Sequence, residues 1–230
     1  MALYAIGDLH LATVVDKPMD IFGDTWRDHA ERIQAHWHAQ IGPEDTVLLP
    51  GDISWAMTLD EAKPDLDWIG AMPGKKILIR GNHDYWWSGI GKVRQLLSHD
   101  TYAIQNDSLQ QAEVAIAGTR GWLLPNHPNF TEEDEHIFER ELHRLRLSLE
   151  HAKKSDRKIV CMLHYPPLSA DGQGTAYTNL LEQYQVVMCV YGHLHGNSHR
   201  YAFNGIHHGI HYQLVSADYL NFCPRLLTLA

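Results

Sequence analysis

The sequence predicts an α/β fold. Short apolar runs of strand length (Ala2–Ile6, Thr46–Leu49, Lys76–Ile79, Lys158–Leu163 and Val186–Tyr191) alternate with longer stretches of helical period. Each run stops abruptly and hands the chain to carboxylate, imidazole or amide side chains, at the strand end where α/β sheets place their ligands. With 230 residues, 44% of them hydrophobic and 20% charged, one soluble globular domain over residues 1–230 is the simplest organisation.

The first run, Ala2 to Ile6, is released by Gly7 into Asp8-Leu9-His10. Residues two apart on extended chain project the same way, so Asp8 and His10 form a pair; the alternative is a loop aspartate beside an unrelated histidine. Leu11 to Gly23 is loop, with Pro18 and Gly23 as breakers. Asp24 or Thr25 then caps a helix whose apolar side is Trp26, Ala30, Ile33, Trp37 and Ile41, with His29, His36 and His38 on its surface or edges. The strand Thr46–Leu49 ends in Pro50-Gly51-Asp52. Thr58 and Glu61 have capping-box spacing, but Pro64 points instead to a helix from Pro64 to about Met72.

The strand Lys76–Ile79 runs into Gly81-Asn82-His83-Asp84, where an amide oxygen suited to a hard cation stands next to a proton carrier. Taken alone this could equally be a capped turn. The Tyr85-Trp86-Trp87 cluster is core or pocket wall, and Ser88 to Leu97 is a helix. Strands at Thr101–Gln105 and Glu113–Ala117 lead to Gly118-Thr119-Arg120-Gly121-Trp122 and a proline-rich loop to Phe130. That loop makes Arg120 a candidate phosphate clamp, the alternative being an ordinary surface arginine.

Thr131 and Asp134 open the longest helix, to about Lys154, with acidic residues first and basic ones last. Lys158–Leu163 ends in His164, stopped by Pro166 and Pro167. A helix at Thr175–Gln185 precedes the strand Val186–Tyr191 and Gly192-His193-Leu194-His195-Gly196. Short strands follow His199, with Ile206, His208, Ile210, Tyr212 and Leu214 on one face and His207 and His211 on the other.

Composition narrows the partners. A formal net charge of -9 with no Lys/Arg run argues against a surface built for nucleic-acid backbone. Cys161, Cys189 and Cys223 lack metal-ligand spacing and read as buried thiols of a reducing compartment. No apolar run reaches the roughly 20 residues of a membrane span, and the first strand leaves no room for a signal peptide, so a cytoplasmic protein is expected. No oligomeric state follows.

Five strand ends thus carry metal-capable groups: Asp8/His10, Asp52, Asn82/His83, His164 and His193/His195. A mixed nitrogen and oxygen set without thiolate suits manganese, iron or zinc better than calcium or magnesium. With His83 set aside as the proton carrier, seven ligands are too many for one ion and fit two that share a carboxylate.

In order and spacing, Asp8–His10, Gly51–Asp52, Gly81–Asp84, His164 and Gly192–His195 resemble the motifs D-x-H, G-D, G-N-H-D/E, H and G-H-x-H of the calcineurin-like metallophosphoesterases. The resemblance implies a four-layer α/β/β/α sandwich of two mixed β-sheets flanked by helices. It implies two divalent or transition-metal ions, one on Asp8, His10 and His195, the other on Asn82, His164 and His193, bridged by Asp52. A metal-bridging hydroxide would attack phosphorus and His83 would be the general acid.

The protein Ser/Thr phosphatase branch continues its second motif as G-D-x-x-D-R-G, whereas here Trp55 and Ala56 replace Asp and Arg. With Asp84 ending the third motif, this leans toward the phosphodiesterase-like branches. The expected activity is hydrolysis of a small phosphodiester or phosphomonoester, with Arg120 as clamp and Tyr85, Trp86 and Trp122 as an apolar wall. The alternatives are a catalytically silent scaffold of the same fold and a nuclease of the superfamily.

Overall fold

Alternate residues of the central strands enter two different apolar layers. In the computed structural model, which describes residues 1–229, β6 (Val114–Thr119), β7 (Lys158–Leu163) and β8 (Val186–Tyr191) turn Val114, Ile116, Val160, Met162, Met188 and Val190 toward the core shared with the first sheet. Ala115, Ala117, Ile159, Cys161, Leu163, Cys189 and Tyr191 pack instead with the helices α4 (Glu132–Lys153) and α5 (Ala176–Gln183). Both faces are covered, which is why these strands are apolar without alternation.

The first sheet has the order β11-β1-β2-β3-β4, from β1 (Leu3–Ala5), β2 (Thr46–Leu49), β3 (Lys75–Leu78), β4 (Thr101–Ala103) and β11 (Arg225–Leu226). The second has the order β5-β6-β7-β8-β10-β9, adding β5 (Ser108–Gln111), β9 (Gly205–His207) and β10 (Ile210–Leu214). Pairing is parallel except at β11, β5 and β9. Helices α1 (His29–Gln40), α2 (Leu59–Ala71) and α3 (Ile90–Leu96) share the core of the first sheet. The result is two mixed sheets flanked by helices, as the resemblance implied. At one end the sheets are stitched together, Gly7 donating to Val215 O at 2.7 Å and Ala217 to Gly7 O at 3.0 Å. No helix among the described residues is long and apolar enough to cross a membrane.

The local expectations hold best where caps and breakers agree. Thr131 and Asp134 form the capping box of α4, and β2, β7 and β8 run as expected. Helix α1 starts later than expected, behind Asp28, because Asp24–Trp26 is a separate 3-10 turn. Helix α2 begins at Leu59 with the Thr58–Glu61 box intact and Pro64 inside it. The hydrogen bond that Pro64 cannot donate would have gone to Asp60, which is exposed to solvent, and the box outweighs the proline. Strand β5 was not foreseen.

The β9–β10 faces also need correction. His208 (φ 46) and Gly209 (φ 81) form a two-residue turn that reverses the phase. His207 therefore pairs with Ile210 and shares its face, while His211 pairs with Ile206 on the other. All three cysteines are free, Cys161 and Cys189 being buried neighbours on β7 and β8.

Candidate metal centre

The strand ends meet where the two sheets are stitched. Asp8, His10 and Asp52 follow β1 and β2 in the left-handed region (φ 56, 47 and 52), as does His193 (φ 74) after β8. Such strain costs roughly 1–2 kcal/mol per L-residue and is characteristic of functional sites. It persists because the backbones are mutually bonded, Asp8 N to Gly51 O and His10 N to Asp52 O, both at 3.0 Å. Two glycines permit the close approach. A Cβ on Gly81 would fall on the Asp52 carboxylate, and one on Gly192 would fall on that of Asp8.

Seven side chains converge there as two groups. His10 Nε2 lies 3.4 Å from His195 Nε2, and His195 Nε2 lies 3.6 Å from Asp8 Oδ1. In the second group, Asn82 Oδ1 is 2.7 Å from His164 Nε2 and 2.9 Å from His193 Nδ1, and these two nitrogens are 3.3 Å apart. Asp52 Oδ2 stands between the groups, 3.8 Å from His10 Nε2 and 3.4 Å from His164 Nε2.

Residues behind the cluster orient it. His164 Nδ1 donates to Pro50 O at 3.0 Å, turning the Nε2 lone pair toward Asp52 and Asn82. His195 Nδ1 pairs with Asp218 Oδ1 at 2.9 Å, and Gly196 N donates to the other oxygen of Asp218. Asp84 is buried outside the cluster and accepts from Gly81 N, Ile53 N, Ser54 N and Trp86 Nε1, tying the β3 loop to the β2 loop.

Facing imidazole nitrogens 3.3–3.4 Å apart, with carboxylates between them, need cations or protons to be stable. Burial, helped by His164, lowers His193 to about 3, and burial lowers His164 to about 4. Burial, the Asp84 and Asp8 charges hold Asp52 well above the carboxylate range. Burial opposes the charged form of His195, but Asp8 and Asp218 carry it up to about 10. The imidazoles, the amide oxygen and the carboxylates form a donor set that fits divalent metal ions, which would take the place of the protons.

His83 sits beside the cluster. Its backbone N donates to Asp52 Oδ1 at 2.8 Å, and its Nδ1 lies 3.4 Å from the Tyr85 hydroxyl. Trp55 stacks on His10 (4.8 Å, 21°) and touches His83 (4.4 Å between rings). The Lys17 ammonium rides on that indole, 3.7 Å from its centroid. Burial first, then the Lys17 charge, lower the pKa of His83.

Arg120 lies elsewhere. Its guanidinium is 3.4 Å from the buried Glu141 and 4.4 Å over Trp122, in a cleft with Arg80 and Arg144. What it lends the site is its carbonyl, which accepts from His164 N and Tyr165 N. The expected aromatic wall also changes. Trp86 is 1% exposed and holds Asp84, whereas Tyr85 is 49% exposed, and Trp122 donates to Asp134 while its ring meets Tyr165 at 5.1 Å. His29 is the edge residue expected, half-buried and packed edge-on to Trp26 at 5.5 Å. Asp218 and Lys17 escaped the sequence reading, and Trp55 was legible only as the residue standing where the protein Ser/Thr phosphatase branch carries an aspartate.

A family model for the calcineurin-like phosphoesterases matches residues 1–197. The gene 66 protein of Mycobacterium phage L5 is 35% identical over 77 residues, 34% of this chain and 37% of that protein. The gene 66 protein of Mycobacterium phage D29 is 42% identical over 57 residues, 25% of this chain and 28% of that protein. The chain thus spans about a third of the length of these curated relatives. Among solved structures, the phosphopantetheinyl hydrolase of Mycobacterium tuberculosis has a TM-score of 0.60 at 16% identity, covering 98% of this chain and 95% of that one. A protein of unknown function from Aquifex aeolicus has a TM-score of 0.54 at 14% identity over 98% and 95%. At these identities the likeness is one of fold.

Proposed function

Because this chain belongs to the calcineurin-like phosphoesterase family, we propose that it is a two-metal phosphohydrolase acting on a small phosphate ester. The observation that carries the reading is the position of Asp52 Oδ2 between His10 Nε2 and His164 Nε2, one carboxylate serving two donor groups. Asp8, His10 and His195 would hold one ion, and Asn82, His164 and His193 the other. Two such ions, of manganese, iron or zinc character, supply Lewis acidity and lower the pKa of the attacking water.

His83 is then the proton donor to the leaving oxygen. Its backbone is anchored on Asp52, and Trp55 and Tyr85 hold its ring, replacing the missing Asp of the longer motif. A phosphate anion beside His83 favours its imidazolium form and opposes the effect of Lys17. The net charge of -9 supports a small ester over a nucleic-acid polymer.

The clamp assigned from sequence to Arg120 passes to Lys17. The Arg120 guanidinium is committed to Glu141, whereas Lys17 is exposed, close to His83 and held only by the Trp55 face. One lysine is a weaker grip than a bidentate arginine, so a diester monoanion should be cleaved at least as well as a monoester dianion. Initial rates on bis-p-nitrophenyl phosphate, p-nitrophenyl phosphate and cyclic nucleotides, with each metal in turn, test this; no hydrolysis with any metal would refute the activity. Lys17→Ala should raise KM for p-nitrophenyl phosphate by about tenfold, the effect of one lost charge-assisted contact, and less for the diester. Unchanged KM for both would remove Lys17 from substrate binding.

A further inference from the structure

Glu182, at the end of α5, meets the two histidines of the β9–β10 turn. Glu182 Oε1 lies 2.9 Å from His208 Nδ1 and 3.9 Å from His207 Nε2. Ligand atoms of a tetrahedral zinc site stand about 3.4 Å apart, given bonds of about 2.0–2.1 Å, so these two separations bracket the required value. Consecutive strand residues normally face opposite ways. Here both imidazoles reach one carboxylate because His208 takes the left-handed conformation (φ 46) ahead of Gly209. Asparagine, aspartate or glycine is the usual choice in such a turn, so histidine is locally disfavoured at this position.

A further observation points to a cation at this cluster. His207 Nε2 is buried and has no hydrogen-bond partner, which is uncommon for a buried polar atom. The His207 and His208 rings are stacked at 4.0 Å and 20°. We propose that Glu182, His207 and His208 form a second, separate binding site for a zinc-like divalent cation, completed by water on its solvent side. Two imidazoles and one carboxylate select zinc or a neighbouring transition metal over calcium and magnesium. The bound ion would pin the edge hairpin of the second sheet to α5.

The test is dialysis against buffered Zn²⁺ followed by elemental analysis. At about 1 μM free zinc, a demanding threshold for a surface site, wild-type protein should hold one more ion per chain than His207→Ala or Glu182→Gln. Phosphoesterase activity should be the same in all three. The difference of one should persist when each variant is combined with Asp52→Asn, which separates this site from the strand-end cluster. Equal zinc contents in the three proteins, or an extra ion retained only near 1 mM free zinc, would overturn the proposal. Circular dichroism of Glu182→Gln, a near-isosteric change at a half-buried position, checks that a lost ion is not a lost fold.

Discussion

Asp52→Asn is expected to empty both metal positions and abolish hydrolysis while leaving the fold intact. The carboxylate is 1% exposed, its Oδ1 accepts from His83 N, and its Oδ2 faces a histidine of each donor group. An amide can keep the hydrogen bond from His83 but lacks the charge that both cations share. Loss of orienting partners alone typically weakens metal affinity about 10–100-fold, and loss of a bridging ligand should exceed that at each position. Without metal, burial, Asp84 and Asp8 already push Asp52 toward its neutral form, so the metal-free variant should melt at or above the temperature of metal-free wild type. Metal content, kcat/KM and a thermal melt on the same preparations decide it. Full metal occupancy with wild-type turnover would contradict the bridging role.

His83→Ala is expected to keep the metals and lose about 10²–10⁴-fold in kcat on esters with poor leaving groups. His83 bonds Asp52 through its backbone N, which alanine retains. Its ring leans on Trp55 and faces the Tyr85 hydroxyl, at the side of the cluster from which a departing alkoxide would take a proton. p-Nitrophenolate leaves with little protonation, so the loss on p-nitrophenyl esters should be far smaller. Comparing the two classes separates proton delivery from structural damage, which would slow both alike.

The strand ends were legible because each is a local event. An apolar run, a glycine or proline, and a polar group two residues on can all be read without the fold. What assembled them was legible only as a resemblance, since nothing local says that Asp8 and His195 end 3.6 Å apart. Asp218 went unseen because it lies in a tail with no periodicity and reaches His195 only through tertiary folding. Lys17 sits in a breaker-rich loop where a lysine has no reason to stand out, and only its contact with Trp55 brings it to His83. Arg120 was misplaced for the converse reason. Its glycine-flanked loop looked functional, but a buried glutamate on α4 takes the guanidinium. Pro64 and the His208–Gly209 turn show local rules in competition, the capping box prevailing over the proline and the tight turn over strand alternation.

The proposed chemistry turns on two ions sharing the Asp52 carboxylate. The most direct measurement is metal content set against activity in His207→Ala protein, which lacks the hairpin site and leaves only the strand-end cluster to be counted. Metal-free protein titrated with Mn²⁺ or Zn²⁺ should reach full activity at two ions per chain. Full activity at one ion per chain, with no further gain from a second, would contradict the account.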